Sequence, residues 1–215
     1  RGELLSTVSH EIGHFIGLGH TQLNQRLWED GIPANDRYVP IMFPIQSEQN
    51  VGPSNLSLDD RSSISFLYPS DSLWTSRGGI AGVVIRRSGE GVQGANVVVT
   101  KKEDPFGTAV ATVTDLYLRA TGEFDIYGLP FGDYKVFVEP VDPRFHGISA
   151  VGPFSRFPDS ESFIDPVAPE YYSGERESGD PLTDAPDDSE YVHVNLGETA
   201  DVEIIVNEED ALLGL

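Results

Sequence analysis

The stretch that decides the architecture reads His10-Glu11-Ile12-Gly13-His14-Phe15-Ile16-Gly17-Leu18-Gly19-His20. Residues four apart in an α-helix share a face and lie about 6 Å apart along its axis, so His10 and His14 can direct two imidazoles at one metal ion. Gly17 can adopt the left-handed conformation that ends a helix, which would bring His20 back as a third ligand. Glu11 could reach a water on the metal without binding the metal itself. Three histidines with an open fourth position are typical of a catalytic zinc site.

The full pattern, H-E-x-x-H-x-x-G-x-x-H, is more specific than its first five residues. Residues 10–14 alone would also suit a surface turn with solvated histidines, whereas Gly17 and His20 at fixed offsets favour a built site. Downstream, Pro40-Ile41-Met42-Phe43-Pro44 places the only methionine of the chain in a proline-bounded turn. A histidine motif followed by a methionine turn resembles the metzincin metalloendopeptidases, and more narrowly their matrixin branch.

The resemblance implies roles for individual residues. Glu11 would be the general base, and Met42 would form a hydrophobic floor under the metal without binding it. Residues 44–46 match the matrixin segment that lines the pocket for the substrate residue after the scissile bond. Matrixins commonly have a tyrosine where this chain has Gln46. The implied ligands of Zn²⁺ are His10, His14 and His20.

A helix is also predicted by the apolar side chains of residues 3–16, which recur in steps of three and four. We expect this apolar stripe to face a core, beside the histidine face of the same helix. Its members are Leu4, Leu5, Val8, Ile12, Phe15 and Ile16.

A second helix is predicted to follow Ser57, which is a favourable N-cap residue. Asp59 and Asp60 place negative charge in its first turn, and Pro69 ends it. The pattern resembles the last helix of a matrixin catalytic domain, in which paired aspartates brace the methionine turn. For Asp59, a simple capping role is an equal alternative.

Beyond residues 70–78, which we interpret as a linker, the apolar pattern changes from helical to alternating. Short alternating segments bounded by Gly, Pro or Asp, with no helical run between them, predict an antiparallel β-sandwich. The seven predicted strands are 80–85, 95–101, 108–114, 123–127, 134–139, 191–196 and 200–207.

This half of the chain resembles the transthyretin-like module called the carboxypeptidase regulatory-like domain. The resemblance is carried by Gly94-Ala95-x-Val97, by Thr121-Gly122-Glu123-Phe124, and by Leu129-Pro130-x-Gly132-x-Tyr134-x-Val136. It implies a non-catalytic appendage that supports folding, docking or substrate tethering. We therefore expect a multidomain chain: a mostly helical C-terminal part of a metzincin catalytic domain (1–69), a linker (70–78), and an antiparallel transthyretin-like β-sandwich (79–208) with a long acidic loop at 140–190.

Composition excludes several classes of protein. The 215 residues contain no cysteine, which removes disulfides and thiolate metal sites, and the net charge of −21 argues against binding to nucleic acid. No apolar run reaches the roughly 20 residues of a membrane span. The acidic run 180–190 makes calcium a further candidate, but it lacks an ordered Asp-x-Asp-x-Asp-Gly loop, so a solvated loop is favoured.

Three other motifs are expected to carry no chemistry. The G-x-G-x-x-G at 89–94 precedes a strand, not a helix, so we reject nucleotide binding. His146 and His193 have no ligand partner nearby in sequence and are interpreted as surface residues.

The leading hypothesis is a zinc metalloendopeptidase that hydrolyses peptide bonds of extracellular proteins, secreted or at the cell surface, and of bacterial origin. The alternative is a non-catalytic adhesion or surface scaffold with a vestigial zinc-binding fragment. A metallocarboxypeptidase is disfavoured because no H-x-x-E motif occurs. In matrixins a twisted sheet precedes the active-site helix, and its sequence is not found here ahead of Arg1. We therefore expect this chain alone to have little proteolytic activity. Sequence leaves the oligomeric state open.

Overall fold

The structure is a computed structural model that describes residues 2–45, 56–115, 121–147, 149–155, 170–180, 187 and 189–207. It contains four α-helices within these residues: α1 (Gly2–Phe15), α2 (Gln25–Glu29), α3 (Leu58–Leu67) and α4 (Leu73–Ser76). The strands are β1 (Gly78–Ile85), β2 (Ala95–Lys101), β3 (Val110–Val113), β4 (Glu123–Leu129), β5 (Gly132–Pro140), β6 (Glu170–Tyr171), β7 (Tyr191–Val194) and β8 (Thr199–Ile205). Short 3-10 turns lie at Asp36–Tyr38, Pro143–Phe145, Gly152–Ser155 and Gly174–Arg176.

The strands form two sheets. One has the order β4-β1-β8, and the other has the order β3-β2-β5, with β6 and β7 both pairing along the far edge of β5. β1 pairs with β4 in the antiparallel direction but with β8 in the parallel direction, from Gly79 opposite Thr199 to Ile85 opposite Ile205.

The predicted fold class, mostly helical followed by an antiparallel sandwich, is therefore wrong. Strands outnumber the short helices in the described residues, and the β1–β8 pair makes one sheet mixed. Each predicted strand has a counterpart, and β6 is additional. Side-chain alternation locates a strand but carries no information on the direction of its neighbour, so the parallel pair could not be predicted.

The main core lies between the two sheets. Its fully buried side chains alternate along the strands, as they do in a strand with one face inward. They include Ile80, Val84, Val97, Val99, Leu129, Tyr134, Val136, Val138 and Ile204. On the other face of β2, Val98 packs with Leu23, so the N-terminal part of the chain covers the outer face of the larger sheet.

Helix α3 crosses the outermost strands of both sheets. Ser57 caps it as predicted: its hydroxyl accepts from the Asp60 N–H, and the Asp60 carboxylate accepts from the Ser57 N–H in return. One turn further on, the Ser62 hydroxyl donates to the Tyr127 carbonyl of β4. The segment expected to be a linker, 70–78, contains α4 and the start of β1.

The apolar stripe of α1 does not face a core, and that prediction is wrong for all of its members except Ile16, which packs on the buried cluster of Leu18, Ile41 and Met42. Leu4 is 69% exposed, Phe15 is 90% exposed, and Leu5, Val8 and Ile12 are also exposed. Helical spacing shows which side chains share a face; it does not show that another element covers them. None of the helices in the described residues has the length and apolar character needed to cross a membrane.

Candidate metal centre

The three histidines of the motif meet at one point. The Nε2 atom of His14 lies 3.1 Å from that of His10 and 3.1 Å from that of His20, and the last pair is 3.3 Å apart. His10 is buried, His20 is partly buried and His14 is exposed, so the cluster opens to solvent on one side. In the described residues this is the one group of His, Cys, Asp or Glu side chains close enough to hold a metal ion.

The other nitrogen of each ring is bound to a backbone carbonyl. Nδ1 of His10 donates to Ile41 (2.7 Å), that of His14 to Leu18 (3.0 Å), and that of His20 to Ala150 (3.1 Å). Because a carbonyl can only accept, each Nδ1 carries the hydrogen, and each neutral ring presents a lone pair at Nε2.

Three lone pairs facing one another at this distance repel, and a cation between them would relieve that repulsion. Imidazole nitrogens about 2.0–2.1 Å from a tetrahedral ion are about 3.3 Å apart, close to the separations found here. Metal-binding histidines also characteristically donate their second nitrogen to a carbonyl or carboxylate, as all three do here. The donor set therefore fits a metal ion.

Local sequence explains how the third histidine arrives. After α1 ends at Phe15, Gly17 adopts a φ of 99°, a value that disfavours any side chain, and the Leu18 N–H donates to the Gly13 carbonyl. Gly13 is favoured for a different reason: a Cβ there would overlap the sulfur of Met42, which would then have to shift. Met42 is buried, and its side chain lies against Gly13 of the histidine helix.

Asp60 braces the methionine turn. Its carboxylate accepts from the backbone N–H groups of Ile41 and Met42, both at 3.2 Å, as well as from Ser57. The carbonyl of the same Ile41 accepts from His10. Asp60 therefore supports the position of His10 through the backbone of Ile41.

Asp59 neither braces the methionine turn nor simply caps α3, the two roles that the sequence suggested for it. It is fully buried, and its Oδ1 accepts from the Ala111 N–H of β3 at 2.7 Å, while the Thr21 hydroxyl also bonds to it. Burial, and secondarily the charge of Asp60, raises the pKa of Asp59 to about 8. Asp59 thus links Thr21, the residue after His20, to Ala111 in β3.

The charge state of His20 suits a metal ligand. Burial lowers the pKa of His20 below its usual 6.5 and outweighs the opposing effect of the Ala150 carbonyl. His20 is therefore neutral at neutral pH, the state in which imidazole binds metals. Glu11 follows His10 on α1, and its side chain is exposed.

A cleft of about 680 Å³ runs from His14 and His20 between α3 and the outermost strands β3 and β4. Among the residues that the structure describes, no lysine or arginine lines it. The carboxylates along its wall belong to Asp59, Asp60, Asp115, Glu123 and Asp125.

The remaining predicted motifs lie elsewhere. The loop at 89–94 joins β1 to β2, and no helix follows it. His146 stacks on Phe154, and His193 pairs with Asp133. Gln46 and most of the acidic run 180–190 lie outside the described residues.

The hydrogen bonds that join the segment after His20 to the second half of the chain were not predicted from the sequence. The Gln22 amide donates to Glu139 and to the Pro140 carbonyl, and its oxygen accepts from the Asp142 N–H. Ala150 holds His20 from 130 positions away. No local pattern could have revealed partners at such separations.

Fold and site together define a two-sheet protein whose His10, His14 and His20 could bind a metal ion. No protein-family model matches this chain, and no curated protein sequence does.

Proposed function

We propose that the protein is a zinc-dependent metalloendopeptidase. The observation that carries the proposal is the convergence of three Nε2 lone pairs, each fixed by a carbonyl bound to the opposite nitrogen. The H-E-x-x-H-x-x-G-x-x-H pattern and the buried Met42 beneath it support the same reading.

Zinc is the proposed ion because the donor set is all imidazole. Neutral imidazole suits zinc better than it suits magnesium or calcium, which prefer oxygen ligands. When bound, zinc would supply a Lewis acid that lowers the pKa of water and polarises a carbonyl. His10, His14 and His20 would hold it.

Glu11 supplies the proton transfers in this proposal. Its carboxylate takes a proton from the attacking water as the carbon–oxygen bond forms. It then returns that proton to the departing amine as the carbon–nitrogen bond breaks. The side chain is exposed next to His10, on the same helix, so a substrate can approach it from solvent.

The proposed substrates are protein or peptide segments outside the cell. The cleft beside His14 and His20 supports a polymeric substrate because it extends well beyond the histidines, to Glu123 and Asp125. Secretion or surface display rests on the resemblance to matrixins.

The test combines metal analysis with a matched variant. The purified full chain is expected to contain about one zinc per molecule and to cleave peptides from a denatured-protein digest slowly, with the little activity expected of this chain alone, read by mass spectrometry after long incubation. Glu11→Gln keeps the shape and all three ligands, so it should retain zinc while losing cleavage by about 10²-fold or more. Zinc-free protein, or equal cleavage by the variant, would refute the proposal.

A second candidate, a non-catalytic surface scaffold, is favoured by the exposed apolar face of α1, which includes Leu4 and Phe15. Large exposed apolar patches mark interaction sites in many proteins. Zinc retention with no cleavage that depends on Glu11 would support this candidate over the peptidase.

A further inference from the structure

We propose that the segment after β5 that contains Ala150 and Val151 positions His20, and so forms part of the metal centre. The inference rests on the proposed metal site. It assigns the Ala150 carbonyl a role in positioning His20. The second half of the chain, which the sequence suggested was a non-catalytic appendage, would then contribute to the metal site.

The three ligands differ in what orients them. His10 and His14 lie on α1 and are anchored by carbonyls of Ile41 and Leu18, both in the N-terminal part of the chain. His20 lies beyond the helix, and its Nδ1 donates to Ala150. His20 also forms a parallel β-bridge with Val151, so backbone and side chain of the ligand are both held by the same two residues.

The supporting segment is itself well fixed. The Val151 N–H donates to the Phe145 carbonyl at 2.9 Å, and the Ala150 N–H donates to the Gly147 carbonyl at 3.1 Å. Val151 and Phe145 are fully buried, and the Phe145 ring packs edge-on against Phe43, which follows the methionine of the turn. A carbonyl held this firmly can select one tautomer of His20.

The consequence is a coupling between metal binding and the sandwich. If the segment shifts, Nδ1 of His20 loses its acceptor, and the hydrogen can move to Nε2, where it would block the metal. Loss of such second-layer contacts in metal sites typically weakens binding by about 10- to 100-fold. Because coupling is reciprocal, a bound ion should in turn stabilise the segment.

Two pairs of matched variants test this in the full chain. Gly152→Ala strains a residue with φ of 63° and places a Cβ 2.7 Å from the Val113 side chain. Its control is Gly197→Ala, which strains a residue with φ of 79° in the β7–β8 turn. Phe145→Leu loosens the segment, and its control, Phe124→Leu, makes the same change in the core between the sheets.

The probe is Co²⁺, followed by its visible absorption, together with the ¹⁵N signals of His20 in metal-free protein. Both segment variants should bind Co²⁺ about 10- to 100-fold more weakly, with a changed absorption spectrum and mixed His20 tautomers. Both controls should stay within about twofold of wild type and keep one tautomer. A merely structural role would affect variants and controls alike and would leave the tautomer unchanged, which would overturn the inference.

Hydrogen exchange on the wild-type chain covers the case in which the segment variants do not fold. Co²⁺ should slow exchange of the Val151 N–H and leave that of Val138, in β5, unchanged. Equal effects at both positions, or none, would refute the coupling. Failure of the wild type to bind Co²⁺ at all would instead refute the metal site and with it the proposed function.

Discussion

Replacing Asp59 with asparagine should remove a large part of the pH dependence of stability. Asp59 is fully buried in the first turn of α3, where it accepts from the Ala111 N–H and from the Thr21 hydroxyl. Asparagine has the same shape, can accept from Ala111 through its oxygen, and carries no charge at any pH. The substitution therefore mimics the protonated acid that burial favours.

The magnitude follows from the two pKa values of this carboxyl. The folded-state pKa is about 8, and the usual pKa of an aspartate side chain, which applies to the unfolded chain, is 3.8. Between these values the folded protein holds a proton that the unfolded chain releases, so this group's contribution is complete below about pH 4 and is lost as pH rises towards 8. The expected loss is about 1.4 kcal/mol per pH unit, or roughly 3 kcal/mol between pH 5 and pH 7.

Urea unfolding of the chelator-treated protein at pH 5, 6, 7 and 8 would measure this effect. The difference in unfolding free energy between Asp59→Asn and wild type should grow in favour of the variant as pH rises. Asp125→Asn, at an exposed residue of β4, is the control and should show no such trend. A difference that stays constant from pH 5 to pH 8 would show that Asp59 is not held protonated, and the reasoning from burial would fail.

Three further outcomes are expected. Gly13→Ala should lower the free energy of unfolding in urea by about 1–3 kcal/mol and reduce the amount of bound zinc, because the added Cβ overlaps the Met42 sulfur. Unchanged stability and zinc content would contradict the packing of the methionine turn. Asp60→Ala should be destabilising by more than 2 kcal/mol, because it leaves the N–H groups of the turn without their acceptor. Arg144→Gln should change the free energy of unfolding little, and less still at high salt, because the guanidinium is exposed, although Arg144 holds the pKa of Asp142 well below its usual range. A clear loss of stability in urea unfolding that persists at high salt would contradict that last expectation.

The histidine cluster could be predicted because its geometry is local. Four residues of helix set His10 against His14, and one glycine turn returns His20, so eleven consecutive residues contain the whole arrangement. The helix cap at Ser57 and every strand except β6 were predicted for the same reason, since each depends on neighbours in sequence.

Features that depend on distant partners could not be predicted. The apolar stripe of α1 has the same spacing whether or not another element covers it, and Leu4 and Phe15 are exposed. The parallel pairing of β1 with β8 joins strands more than a hundred residues apart. Ala150 supports His20 with a backbone carbonyl, a group that every residue possesses, so no residue type at position 150 could have signalled the role.

Several contacts between residues 2–67 and the two sheets are polar and buried, so they influence stability by more than packing. Asp59 reaches Ala111, and Gln22 reaches Glu139, whose pKa burial raises while the amides of Gln22 and Asn96 oppose that rise. Buried polar groups that lose their partners cost more than the contacts contribute, because their desolvation is then uncompensated. Separating the two parts would leave such groups unpaired on both sides. The arrangement therefore favours one relative placement of motif and sandwich, and that placement is the one in which Ala150 faces His20.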